Sequence, residues 1–180
     1  MRLFVGIALP ELIRARLAML ESGIPGAKWV RQENLHLTLR FIGEVDGGDA
    51  HDIDAALAAV KGPAFRLAFA GLGVFDRRGK VHTLWAAVER SQPLMRLQAK
   101  IETGLVRLRL EPERRKFMPH AALARMRNGL APGPKIGAWL EANNRFAAGP
   151  FEVDRFVLFR SHLGREAAHY EVLAEYPLDD

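Results

Sequence analysis

The chain has 180 residues, no cysteine, 26 Lys and Arg against 21 Asp and Glu, and 49% hydrophobic residues. That length suits one domain or two small lobes with a core able to fold unaided. The missing thiol excludes a disulfide framework, thiol catalysis and Cys-ligated zinc or iron–sulfur centres, and it fits a reducing, cytoplasmic setting.

The net charge of +5 suits an anionic partner. It is local: residues 107–127 hold Arg107, Arg109, Arg114, Arg115, Lys116, Arg125 and Arg127 against Glu111 and Glu113, which leaves the remainder neutral. No segment approaches the roughly 18 apolar residues of a membrane span, so no membrane partner is expected.

In chain order, residues 2–8 read as a buried strand rather than a signal peptide. Pro10 opens a helix with Ile13, Leu17 and Leu20 inward, and Gly23 and Pro25 end it. Leu35 to Ile42 is a strand. After Gly47-Gly48, Asp49 is the expected cap of a helix bearing Ile53, Leu57 and Val60. Strands follow near 64–70 and 81–88, separated by the turn chemistry of Gly71, Gly73 and Asp76-Arg77-Arg78-Gly79. Ser91 caps a helix whose stripe is Leu94, Leu97, Ile101 and Leu105. A strand near 118–124, a helix near 134–143 and strands near 151–161 and 168–176 complete the chain.

Each half thus reads helix, strand, helix, strand, strand. The expectation is an α+β fold: one bilobal domain over 1–180, with approximate internal repeats at 10–90 and 91–177. Two antiparallel sheets would flank a central cleft, with helices on their outer faces.

Asn34-Leu35-His36-Leu37-Thr38-Leu39-Arg40-Phe41 carries the clearest chemistry. Strict alternation puts Leu35, Leu37, Leu39 and Phe41 on one face and His36, Thr38 and Arg40 on the other. An imidazole, a hydroxyl and a guanidinium projecting together can serve a phosphate; an ordinary solvated strand face is the competing reading. The second half offers Met118-Pro119-His120-Ala121-Ala122-Leu123-Ala124-Arg125, with its histidine 84 residues after the first. Two histidines across one cleft suit acid–base cleavage of a phosphoester, one activating the nucleophile and the other protonating the leaving oxygen, with no metal or cofactor. Ala122 stands where the first copy has Thr38, and Arg125 has the wrong parity to face the cleft unless its strand ends, bends or bulges.

These segments resemble the 2H phosphoesterase superfamily, named for paired His-x-Thr-x motifs. Arg2-Leu3-Phe4-Val5-Gly6-Ile7, Lys28-Trp29-Val30, Glu33 to Leu39, Phe41-Ile42-Gly43-Glu44-Val45, Phe117-Met118-Pro119-His120 and Phe159-Arg160-Ser161-His162-Leu163 are similar to the RNA 2′,3′-cyclic phosphodiesterases, also called 2′-5′ RNA ligases, nearly end to end. The resemblance implies hydrolysis of a terminal 2′,3′-cyclic phosphate to a 2′-phosphate, with reversible 2′-5′ ligation. It implies His36 as general acid, His120 as general base, Thr38 and Arg125 on the phosphate, and Arg40 and Lys116 as further candidate contacts. RNA with a cyclic phosphate end, or a related nucleotide, would be the partner of a monomer. Small cyclic nucleotides as substrates, and an RNA- or nucleotide-binding protein weakened at Ala122, stand as alternatives.

The other histidines, His51, His82, His162 and His169, lack the spacing of a zinc site. Trp29, Phe41 and Tyr170 are candidates for base stacking, with core packing the commoner use of such residues.

Overall fold

The computed structural model describes residues 1–179. The strands are β1 (Arg2–Ala8), β2 (Lys28–Trp29), β3 (His36–Glu44), β4 (Phe65–Arg77), β5 (Lys80–Val88), β6 (His120–Leu130), β7 (Ala147–Val153), β8 (Arg155–His162) and β9 (His169–Pro177). The helices are α1 (Glu11–Ala18), α2 (Gly47–Ala58), α3 (Gln92–Val106) and α4 (Pro134–Ala142), with a 3-10 turn over Gln32–Asn34. One sheet has the order β3-β1-β8-β9 and the other β2-β6-β5-β4-β7, and every pair is antiparallel.

The two sheets do not coincide with the two halves of the chain. The β4–β5 hairpin pairs with β6, while the β8–β9 hairpin pairs with β1. Helices α2 and α3 pack together against the four-stranded sheet, at β9 and β3. On the other sheet α1 meets β7, and Trp139 of α4 donates to the Leu20 carbonyl at 2.8 Å and packs on Trp29 of β2. Strands β3 and β6 touch where the sheets meet. Leu3, Val5 and Ile7 of β1 and the predicted α3 stripe of Leu94, Leu97, Ile101 and Leu105 belong to one continuous core, whose apolar burial is the main stabilising term.

Local differences from the sequence expectation have local causes. Asp46, not Asp49, caps α2: its carboxylate accepts the Asp49 amide at 2.8 Å, so both glycines lie inside the first turn. Strand β4 runs on through Gly71 and Gly73 because Gly71 takes a positive φ at an irregularity between the β7-paired and β5-paired stretches. The expected strand near 151–161 is two strands in different sheets, divided only at Asp154.

Irregularities in β3 and β6 have the largest consequence. Pairing steps from Gly6↔Thr38 to Val5↔Arg40, which makes Leu39 an extra residue. It steps likewise from Trp85↔Ala122 to Leu84↔Ala124, which makes Leu123 extra. An extra residue inverts the alternation beyond it. Residues 36–41 and 120–125 accordingly share one pattern: half-buried, buried, half-buried, buried, buried, exposed.

Phe41 therefore lies opposite Phe4, whose ring packs on His36, rather than on the face of Leu37 and Leu39. Arg40 turns the other way, which corrects its assignment as a phosphate contact. It is 7% exposed, and its guanidinium donates to Glu102 on α3 and to the carbonyls of Phe41 and Glu111. It is an internal strut. Glu102→Ala leaves this buried charge without its carboxylate and is expected to lower the unfolding free energy by about 2–4 kcal/mol, below the top of the range for fully buried pairs because Glu102 is 22% exposed. Urea unfolding checks it, and an unchanged midpoint would contradict the strut role.

Candidate active site

His36 opens β3 and His120 opens β6. Each ring is fixed in the same way, by the main-chain carbonyl two residues earlier. His36 Nδ1 lies 2.7 Å from the Asn34 carbonyl, and His120 Nδ1 lies 2.6 Å from the Met118 carbonyl. A carbonyl only accepts, so Nδ1 carries the hydrogen in both rings and Nε2 is the nitrogen free to take or give a proton. His36 Nε2 sits 2.9 Å from the Thr38 hydroxyl. Among the described residues no protein group occupies His120 Nε2, and the alanine at 122 supplies no hydroxyl there.

Aromatic rings wall both imidazoles. Phe4 lies 4.9 Å from His36, centroid to centroid, and Tyr170 meets it edge-on at 5.1 Å. Phe75 meets His120 edge-on at 4.9 Å, and Trp85 lies 5.9 Å from it. Glycine lets β1 approach β3 at position 6 and lets the Trp85 ring lie against β4 at position 73. A Cβ on Gly6 would stand 2.7 Å from the Leu37 carbonyl oxygen, and one on Gly73 would stand 2.3 Å from the Trp85 ring.

The walls set the electrostatics. Burial pushes the His36 pKa below its ordinary value, the Asn34 carbonyl opposes that, and the charges of Arg125 and His120 push it lower still. Burial also lowers the His120 pKa, against the Met118 carbonyl and with the Arg125 charge. Arg125 thus acts on both rings, and His120 on His36. The bulge at Leu123 is what returns Arg125 to the histidine face.

The structure therefore brings His36, Thr38, His120 and Arg125 together. It does not bring Arg40, and Lys116 is exposed on the connection before β6 and perturbs neither imidazole. Phe41 is 46% exposed, with the Arg2 guanidinium 5.3 Å from its centroid, whereas Trp29 packs into the core beside Trp139. His162 bonds to Glu171 at 2.7 Å at the end of the β8–β9 hairpin. Among the described residues no group of three or more His, Cys, Asp or Glu is gathered as a metal site, and no helix is long and apolar enough to cross a membrane. Sequence reasoning missed Phe4, Phe75 and Trp85, because an aromatic residue lining a site and one filling a core look alike in a strand. It missed the Asn34 and Met118 carbonyls because any residue can supply one.

Two antiparallel sheets meeting at paired histidine strands make this a 2H phosphoesterase fold. The chain belongs to the LigT-like phosphoesterase family, whose profile matches residues 7–85 and again 86–170. An RNA 2′,3′-cyclic phosphodiesterase of Aeropyrum pernix is 34% identical over 166 residues, covering 92% of this chain and 93% of the relative. One of Thermotoga maritima is 32% identical, covering 97% and 94%. A crystal structure from Thermus thermophilus superimposes with a TM-score of 0.79 at 29% identity, over 98% of this chain and 97% of the other.

Arg125 provides a test that needs no substrate. Its positive charge opposes formation of imidazolium, so Arg125→Gln is expected to raise the pKa of both His36 and His120. An NMR titration of the ring protons reads this directly, and unchanged or lowered values would remove Arg125 from the site.

Proposed function

We propose that the protein hydrolyses the terminal 2′,3′-cyclic phosphate of RNA to a 2′-phosphate. The observation that carries the reading is the pair of imidazoles, each held at Nδ1 by a carbonyl and both under the influence of the Arg125 charge.

The two Nε2 atoms differ, and the difference sets the roles. His36 Nε2 already faces an alcohol oxygen, that of Thr38, whereas among the described residues no protein group bonds His120 Nε2. His120 is the general base: it takes a proton as the water oxygen bonds to phosphorus. The P–O3′ bond breaks, and His36, entering as imidazolium, gives its Nε2 proton to the departing O3′. The phosphate stays on O2′, and the ribose gains a free 3′ hydroxyl. Thr38, displaced from His36 Nε2 by O3′, donates to a non-bridging phosphate oxygen. Arg125 stabilises the charge that builds on the phosphate. With a 5′ hydroxyl of RNA in place of water, the same step makes a 2′-5′ linkage. Phe41, exposed on the face of Phe4, is a platform for the nucleobase.

The reaction needs no metal. An oligonucleotide ending in a 2′,3′-cyclic phosphate, treated in EDTA, should yield a 2′-phosphate, and His36→Ala and His120→Ala should each lose about 10²–10⁴ in rate. A 3′-phosphate product or loss of activity in EDTA would overturn the mechanism. Turnover of mononucleotides alone would restrict the substrate to small cyclic nucleotides, and tight binding without turnover would mark a binding protein.

Ala122 gives a gain-of-function test. It lacks the donor that Thr38 supplies on β3, and one oriented donor is worth up to roughly 10²–10³ in rate. Ala122→Thr is expected to raise kcat by at least about tenfold. Unchanged or lower turnover in the folded variant would show that the site does not lack a hydroxyl there.

A further inference from the structure

Strand β2 is only two residues long, and its register against β6 is specific: Lys28 lies opposite Arg125 and Trp29 opposite Ala124. Directly paired residues share a face of a sheet. Trp29 and Ala124 take the buried face, so Lys28 and Arg125 both take the opposite face, to which the bulge at Leu123 returns Arg125 beside His120. Both are exposed, and neither has a carboxylate partner among the described residues. Like charges directly opposite across a strand pair are destabilising. On the other side of Arg125 the row continues with Thr83 of β5 and Phe75 of β4. The row therefore runs lysine, arginine, threonine, phenylalanine, with two cations and no acid.

The two cations are not equivalent. Arg125 perturbs both imidazoles and Lys28 perturbs neither, although the two are cross-strand neighbours. Arg125 shares β6 with His120, whereas Lys28 lies one strand farther out, on the edge strand β2. An anion that neutralises the facing pair from the Lys28 side is a second anion.

We propose that Lys28, beside Arg125, forms a second phosphate subsite that receives the 5′ phosphate of the terminal nucleotide, the group linking it to the rest of an RNA strand. The inference rests on the cyclic phosphodiesterase reading and narrows it: the subsite favours a chain end over a cyclic mononucleoside phosphate that has no 5′ phosphate. A lysine suits this task, being a point charge on a flexible stem that follows a mobile phosphodiester.

Two comparisons test it. In turnover, 2′,3′-cyclic AMP is compared with the same nucleotide bearing a 5′ phosphate. The 5′ phosphate should raise kcat/KM about tenfold, Lys28→Arg should keep that advantage, and Lys28→Ala and Lys28→Glu should erase it. In binding, calorimetry compares adenosine 2′-monophosphate with adenosine 2′,5′-bisphosphate, and the same pattern is expected in Kd. Absence of any 5′-phosphate advantage in the unaltered protein, or an equal advantage in Lys28→Ala, overturns the subsite. If neither cyclic substrate turns over, the activity reading fails, and the calorimetric comparison still decides the subsite.

Discussion

One extra residue in each of two strands decides what this protein presents to a ligand. Without the bulge at Leu39, Arg40 would share the face of His36 and Phe41 would be buried against α3. Without the bulge at Leu123, Arg125 would point into the core of its sheet. A bulge re-aims every side chain beyond it by one step, so the residue five places after each histidine comes back to the histidine face. On β3 that residue is a phenyl ring, and on β6 it is a guanidinium. The two strands share a backbone pattern, and the chemistry differs only in what side chains it carries.

The same constraint explains the placement of the buried charge. The bulge turns Arg40 inward, where an unpaired guanidinium would be costly. Glu102 of α3 and two carbonyls meet it there, which ties α3 to the inner side of β3 and to the connection that runs on toward His120. Carbonyls at Asn34 and Met118 then fix the ring nitrogens, and aromatic neighbours withdraw both rings from water. Scaffold and site share residues throughout this region, so the imidazoles inherit the rigidity of the sheets.

Much of this was legible in the sequence where periodicity is regular. The α3 stripe, the burial of β1 and the shared face of His36 and Thr38 all follow from local spacing, and local spacing survives folding. Sheet membership does not follow from it. Nothing within 64–88 or 155–177 states that each hairpin pairs with a strand of the other half, because strand pairing is a long-range choice. The parity of Arg125 posed the right question, since the residue could reach the cleft only through an irregular strand. No residue type at Leu123 announces one. The same blindness at Leu39 sent Arg40 to the wrong face, and a period of 2 cannot report the place where it breaks.

The asymmetry between Thr38 and Ala122 gains its meaning from this shared backbone. Two equivalent imidazoles facing one phosphate would have no reason to divide into acid and base. Here one Nε2 is matched to an alcohol oxygen and the other is bare, and the charge of His120 disfavours the protonated form of His36. In the proposed reaction the ring that best receives an alcohol oxygen is the one whose proton is useful, because the leaving group there is an alcohol. The bare ring is left to meet water. On the proposed mechanism, the hydroxyl missing at Ala122 weakens the hold on the phosphate at β6, yet it sharpens the division of labour between two otherwise similar histidines.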